Sequence, residues 1–408
     1  MHSVPAPALR VLLATWGTMG DIAPYTGVAA GLSAAGHQVT VVTSARHAPR
    51  FTALGLPVRA MHLDDQEELM GRSKPVTARV RNGRDIARTA SGTLLDAAAE
   101  GTDLILAHPL LHPLCAVVAE GLGTACTGLY TVGHAMVLPR LAALAPWRGH
   151  ALADLGTRLL LAPMHAPALR RLCRTLGLPD RPRALLSHLT RRHRAYYGIS
   201  GALLPARSPL PSPHSALGHW TPSRPPDWRP DPVLRDFLDG GPPPVFFGFG
   251  SMRTLDAARL GRMIAEAAAA LGVRALVQSG AARLSAASDR VLTIGECPHD
   301  WLFPRVRAAV HHAGPGTVHA SLAAAVPTLP VPVALDQPYW ARQVVRLGLA
   351  PGALPARRLT TAGLVRALES LLRDDRYRRR TEAVSRAMAR QDGVAALLAR
   401  LAEETRRG

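Results

Sequence analysis

Apolar residues along this chain gather in short runs, each closed by glycine, proline or a polar turn and followed by a stretch with helical spacing. Arg10 to Thr15 reads as a strand, Trp16 to Pro24 as a turn, Tyr25 to Ala35 as a helix stopped by Gly36, and Gln38 to Thr43 as the next strand. This is a βαβ unit, and its first loop lies where open α/β sheets place ligands. The style repeats at Thr102 to Ala107, which runs into His108, and at Thr124 to Tyr130, which runs into His134. The section from Trp147 to Arg194, rich in Arg and Leu, reads as helices with an irregular excursion, the least regular part of the chain. Proline is then dense from Pro205 to Pro232, around one last strand at Ala216 to Trp220. That density excludes a long helix and places a boundary at 221–242.

The alternation restarts beyond it. Pro244 to Met252 is a buried strand ending in a glycine turn, Asp256 to Leu271 a helix, and Val273 to Gln278 and Val291 to Ile294 are strands. Helices are expected again at Tyr339 to Leu347, Ala362 to Leu372 and from Tyr377 to the end. The pattern predicts an α/β protein of two doubly wound, Rossmann-like domains facing across a cleft.

Everything is arranged around Ala308 to Ala320, which reads as a short strand ending at His311, a small-residue turn and a helix. Such a turn leaves the first backbone N–H groups of the helix unpaired, and with the helix dipole they attract phosphate oxygens. His312 and the Thr317 hydroxyl can add donors, while Pro315 removes one N–H. After a second apolar run, Leu329 to Leu335, come Asp336 and Gln337, polar groups at a strand's carboxyl end. The first turn is read as holding a diphosphate and the second as gripping a sugar. Asp21, in the first loop of the chain, is an acid of the kind that more often caps a helix than catalyses.

Composition narrows the choices. The chain has 408 residues, 48% of them apolar, enough for two substantial cores. Its net charge of +19 invites a nucleic-acid reading, but the arginines are scattered, Lys74 is the only lysine, and no nucleic-acid-binding signature occurs. Cys115, Cys126, Cys173 and Cys297 have no paired metal-ligand spacing and read as thiols of a reducing compartment. The apolar run after Arg10 is too short for a signal peptide, and no stretch is long enough to span a bilayer, so a cytoplasmic location is expected, with peripheral membrane contact left open. Oligomeric state is not legible.

Four segments in order carry a resemblance: Gly17-Thr18-Met19-Gly20-Asp21-Ile22-Ala23-Pro24, Gly248-Phe249-Gly250-Ser251-Met252, Pro298-His299-Asp300-Trp301-Leu302-Phe303-Pro304, and His311 to Thr317 with Asp336-Gln337. The chain resembles the GT-B fold glycosyltransferases of the UDP-glycosyltransferase superfamily, family 1, in the bacterial branch of natural-product and sterol-type enzymes. The resemblance implies an acceptor-binding domain at 1–220, a proline-rich linker at 221–242, a nucleotide-sugar-binding domain at 243–380, and a last helix at 381–408 packing back on the first domain.

It implies Asp21 as general base, and a donor site built from Gly17, Thr18, Gly20, Ser251, Cys297, Pro298, His299, His312, Gly314, Gly316, Thr317, Asp336 and Gln337. It further implies an inverting hexosyl transfer from a nucleoside diphosphate sugar to a hydroxyl of a lipophilic aglycone, with no cofactor and no obligatory metal. The acceptor would be held by loops at His108 and His134 and by residues 64–90.

Two departures from the plant pattern bear on the donor. Glu296 stands where a uracil-stacking Trp is usual, and Ala320 where a Glu binds the ribose diol, so a deoxythymidine diphosphate sugar is as plausible a donor as a UDP-sugar. Two other classes fit part of the pattern. A nucleotide-dependent oxidoreductase would use Gly314-Pro315-Gly316 with an acid some twenty residues on, although its third glycine position is His319. A non-catalytic sugar-nucleotide-binding protein would have no use for Asp21.

Overall fold

The computed structural model describes residues 8–63, 76–137, 149–181, 184, 188, 194–205, 210, 215–252, 256–281, 283–286 and 288–406. The chain divides into two compact units, one bounded by Met1–Ile199, Pro209–Pro226 and Asp392–Gly408, the other by Ser200–Ser208 and Asp227–Gln391.

In the first unit, strands β1 (Arg10–Ala14), β2 (Gln38–Ser44), β3 (Val58–Met61), β4 (Leu104–Ala107), β5 (Ala125–Tyr130) and β6 (Ala195–Tyr197) form a sheet in the order β3-β2-β1-β4-β5-β6. Every pairing is parallel. Both faces are therefore covered, which is why β1 and β4 read as continuous apolar runs rather than as alternation. One face packs Leu12, Ala14, Ile105 and Ala107 against the helices Val76–Ala99, His112–Leu122 and Gly149–Thr175. The other packs Val11, Leu13 and Leu106 against Ile22, Val28 and Leu32 of the helix Met19–Ala34, with Leu397 and Leu401 of the helix Gly393–Thr405 and the fully buried Trp220. Leu397 and Leu401, almost wholly enclosed, each contribute roughly 1.5–3 kcal/mol of apolar burial.

The second unit has β7 (Val245–Gly248), β8 (Ala275–Gln278), β9 (Val291–Ile294), β10 (Ala308–His311) and β11 (Thr328–Pro330), all parallel, in the order β11-β10-β7-β8-β9. Each sheet reverses direction once, between β1 and β4 in the first and between β7 and β10 in the second. Loops leaving the two strands at such a point part in opposite directions and open a crevice at the strands' carboxyl ends.

Several elements depart from the sequence reading. The first helix begins at Met19 rather than Tyr25, so Asp21 lies in its first turn and Pro24 inside it. Thr18 and Asp21 cap that turn, and this offsets the N–H that Pro24 lacks. The section expected to be least regular holds the 27-residue helix Gly149–Thr175, with Pro163 and Pro167 within it. β11 is shorter than the apolar run Leu329 to Leu335, and Asp336 caps the next helix, Gln337–Arg346. Ala216 makes only an isolated bridge to Tyr197 in place of a strand. The end of the chain is two helices, Asp375–Ala389 and Gly393–Thr405, separated at Asp392, whose carboxylate caps the second. Residues 64–75 and most of 182–193 and 206–214 lie outside the described residues, as does the side chain of His134; residues 76–90 belong to the helix Val76–Ala99.

Candidate active site

The first unit places Asp21 in the first helical turn after β1 and His108 directly after β4, the two strands flanking the switch point. His108 is set by its own backbone, since its N–H donates to the Ala14 carbonyl at 2.8 Å and so prolongs the β1–β4 ladder. Asp21 is set by the helix start. Its Oδ2 accepts from the Thr18 N–H at 2.8 Å and from the Thr18 hydroxyl at 2.9 Å. Gly17, at φ 137°, leaves room for that carboxylate, because a Cβ there would lie 2.6 Å from Oδ2. Asp21 is thus both a helix cap and an acid at the switch point.

Oδ1, the other carboxylate oxygen, faces Nε2 of His108 at 3.9 Å. Burial alone would raise the Asp21 carboxyl, but the His108 ring and the Thr18 donors outweigh it and hold the carboxyl below the ordinary carboxylate value. Asp21 is therefore ionised at neutral pH. Sequence reasoning singled out His108 only as a loop histidine. Its distance from Asp21 along the chain hides the pairing, and the signal is that both residues lie in the segments that follow predicted strands.

The second unit brings the other segments together at its own switch point. His311 ends β10 opposite Gly248 at the end of β7. The ring of His312 fills the space between the two loops: a Cβ on Gly250 would lie 2.9 Å from its Cε1, and one on Gly314 would strike Nε2. Ser251 follows Gly250 directly, so the glycine turn and the loop after β10 converge on one ring. Gly314 is the N-cap of the helix Pro315–Ala323, and Pro315 occupies the first helical position, where its missing N–H costs the helix nothing. The amides of Gly316 and Thr317 then point out of the first turn, where the helix dipole favours an anion.

Supporting residues surround this turn. His311, wholly buried, accepts from the Ala313 N–H at Nδ1 (3.0 Å) and meets the Thr328 hydroxyl at Nε2. Ala313 itself sits at φ 62°, in the left-handed region that favours glycine. His299, in the short helix after Pro298 and Cys297, stacks on Phe303 with centroids 4.4 Å apart. Burial pushes His312 and His299 down to about 4, with the Gly248 carbonyl pulling against it at His312 and the His312 ring adding to it at His299. Both rings are neutral at pH 7 and act as hydrogen-bonding groups rather than cations.

Asp336 and Gln337 follow β11, and both are buried. Gln337 is largely committed to its own loop. Its Oε1 accepts from the N–H groups of Val333 and Ala334 at 2.8 and 2.9 Å, and its amide nitrogen reaches Sδ of Met252, in the glycine turn, at 3.3 Å. Of its side chain, the second amide N–H is what is left to meet a sugar. Asp21, Gly17, Thr18 and Gly20 belong to the first unit, and the remaining predicted site residues to the second.

A chain of two parallel-sheet α/β units matches known proteins. Residues 258–403 match the family model described as erythromycin biosynthesis protein CIII-like, C-terminal domain. Glycosyltransferase GtfE of Amycolatopsis orientalis is 32% identical over 384 residues, covering 88% of this chain and 90% of that protein. O-mycaminosyltylonolide 6-deoxyallosyltransferase of Streptomyces fradiae is 29% identical over 95% of both chains. Among solved structures, glycosyltransferase VinC in complex with dTDP superposes with a TM-score of 0.70 at 19% identity, covering 98% of this chain and all of that one. The chain belongs to the family-1 glycosyltransferases of GT-B fold and is a nucleotide-sugar-dependent glycosyltransferase. The oxidoreductase reading of Gly314-Pro315-Gly316 is thereby overturned. Among the described residues, no helix is long and apolar enough to cross a membrane.

Proposed function

We propose that the protein transfers a deoxyhexose or hexose, with inversion, from a nucleoside diphosphate sugar to a hydroxyl of a lipophilic natural-product aglycone, Asp21 acting as general base. The observation that carries this reading is the state of Asp21. Thr18 occupies Oδ2, which leaves Oδ1 of an ionised carboxylate to take a proton. As the acceptor oxygen bonds to the anomeric carbon, its proton passes to Oδ1 and the carbon–oxygen bond to the diphosphate breaks with its electron pair. The departing charge is met by the Gly316 and Thr317 amides, the Thr317 and Ser251 hydroxyls and the neutral His312 ring, donors fixed before the reaction starts. These supply the stabilisation a metal would give elsewhere, so the reaction proceeds without one.

A deoxythymidine diphosphate sugar is favoured over a UDP-sugar as donor, on three supports. Ala320 offers no carboxylate to a ribose diol, VinC is solved with dTDP, and the Streptomyces fradiae relative is named for transferring a 6-deoxyhexose. The test is a screen of dTDP- and UDP-sugars against lipophilic polyhydroxylated aglycones, reading release of the nucleoside diphosphate, with the anomer of the product assigned by NMR. Asp21→Asn should lower turnover by a factor on the order of 10² to 10⁴ while leaving donor binding in place. Wild-type turnover in that variant, or a product that retains the donor's configuration, would overturn the reading.

A further inference from the structure

Asp21 is the acid of the first-unit site, and the structure shows what surrounds it. The N–H of Leu110 donates to Nδ1 of His108 at 3.3 Å. An imidazole nitrogen that accepts carries no proton, so the proton of a neutral His108 is on Nε2, the nitrogen that faces Asp21. Leu110 is held at its other backbone group as well. Its carbonyl lies 2.9 Å from Nε2 of His165, on the helix Gly149–Thr175, and since a carbonyl can only accept, His165 donates there. His165 thus holds Leu110 in place, the Leu110 N–H fixes the His108 tautomer, and the His108 ring presents Nε2 to Oδ1 of Asp21. His108 is almost fully enclosed and cannot turn away, and the ring of Tyr25 lies 5.7 Å from it.

We propose that His108 is a positioning residue of the transfer reaction, its Nε2–H aimed at Oδ1 of Asp21, its tautomer fixed by the N–H of Leu110, and Leu110 itself held in place by His165. The proposal rests on the reading of Asp21 as base. His108 keeps its Nε2 proton throughout, while the acceptor's proton goes to the remaining lone pair of Oδ1. The 3.9 Å separation is ion-pair range and longer than a direct hydrogen bond, so His108 acts mainly through its field and by orienting the carboxylate. Among the described residues, the other groups bearing on Asp21 are the Thr18 donors and Tyr25, whose hydroxyl is turned to the Leu129 carbonyl. Tyr130 and His112 are paired with each other at 2.8 Å.

The experiment is the pH profile of kcat/KM, whose acid limb reports the base of the free enzyme. His108→Leu should move that limb upward by on the order of one pH unit, because the carboxylate loses a favourable partner while its burial remains. His108→Gln, which restores an N–H near the position of Nε2, should bring the limb back toward that of the wild type. A merely structural role would lower the rate at every pH and leave the limb in place, and that result would overturn the proposal. Should the leucine variant not fold, ¹⁵N shifts of the wild-type ring decide the matter. An unprotonated Nδ1 with a protonated Nε2 supports this arrangement, and the opposite tautomer overturns it. Asp21→Asn separates the two ideas. Full activity there removes the base itself, whereas an inactive Asn variant with an unmoved limb in His108→Leu removes only the role of His108.

Discussion

The ring of His312 occupies the space that a side chain on Gly314 would need, so the ring keeps this position only because residue 314 has no Cβ. Gly314→Ala should displace the ring from the helix start. Nucleoside diphosphate affinity should fall by roughly tenfold or more, the equivalent of one lost hydrogen bond to a charged group, with the fold intact. His312→Ala should weaken binding to a similar degree and slow transfer to every acceptor alike, since leaving-group stabilisation is independent of which hydroxyl attacks. Calorimetry with the free diphosphate checks both variants, and unchanged affinity in both would move the leaving-group site elsewhere.

Ala313 offers the converse case. It is fully buried at φ 62°, a conformation that costs an alanine about 1 kcal/mol and glycine little. Ala313→Gly should therefore raise stability, by up to about 1 kcal/mol after the greater freedom of glycine in the unfolded chain is subtracted. Denaturant midpoints at constant slope measure the change. A loss of stability would mean that the Ala313 methyl contributes more through packing than its backbone costs.

What the sequence made legible was the set of strand ends. Gly248 to Met252, His311 to Thr317 and Asp336-Gln337 are each confined to one loop, so their chemistry can be read locally, and the structure gathers them as the alternation of strands implies. The start of the first helix was missed, because Gly17, Gly20 and Pro24 all signal a turn and outweigh the short Thr18-x-x-Asp21 spacing that marks the cap. The helix Gly149–Thr175 was obscured likewise by Pro163 and Pro167. The pairing of Asp21 with His108 depends on which strands neighbour β1, and the commitment of Gln337 to the amides of Val333 and Ala334 depends on how one turn closes. Neither relation leaves a mark in a single sequence.

Buried histidines tie stability to pH. His319 is 1% exposed, donates from Nδ1 to the Pro315 carbonyl and accepts at Nε2 from the Ser200 N–H; burial pushes it down to about 4. His312 and His299 are pushed to about 4 as well. Unfolded, each titrates near 6.5. Between these values the unfolded chain binds more protons than the folded one, so stability rises with pH across the window. It is fully present above about pH 6.5 and is lost as pH falls toward 4, by roughly 3 kcal/mol at most for a ring as enclosed as His319. Urea melts from pH 4 to 7.5 should show that slope, and His319→Gln should reduce it by about one proton's worth. An unchanged slope in that variant would remove His319 from the linkage.

Asp336 and Gln337 stand side by side but are engaged differently, and that difference separates their roles. The amide oxygen of Gln337 closes the turn at Val333 and Ala334, and its nitrogen reaches the Met252 sulfur. Gln337→Ala should thus loosen the loop and the adjoining glycine turn together, lowering stability by about 1–3 kcal/mol for the two buried amides left without their acceptor, and weakening every donor to a similar extent. Asp336 stands at the N-cap of the following helix, and in the proposed function its carboxylate meets the sugar. A buried carboxylate accepts but cannot donate, so it discriminates for a sugar hydroxyl and against its deoxy analogue. Asp336→Ala should leave affinity for the free nucleoside diphosphate nearly unchanged, cut transfer of a fully hydroxylated sugar severely, and narrow the ratio of kcat/KM between that donor and the deoxy analogue by about tenfold. Measuring the ratio in wild type and in both variants decides between the roles. If Gln337→Ala narrows it and Asp336→Ala does not, the amide rather than the carboxylate reads the sugar, and Asp336 serves only the helix it begins.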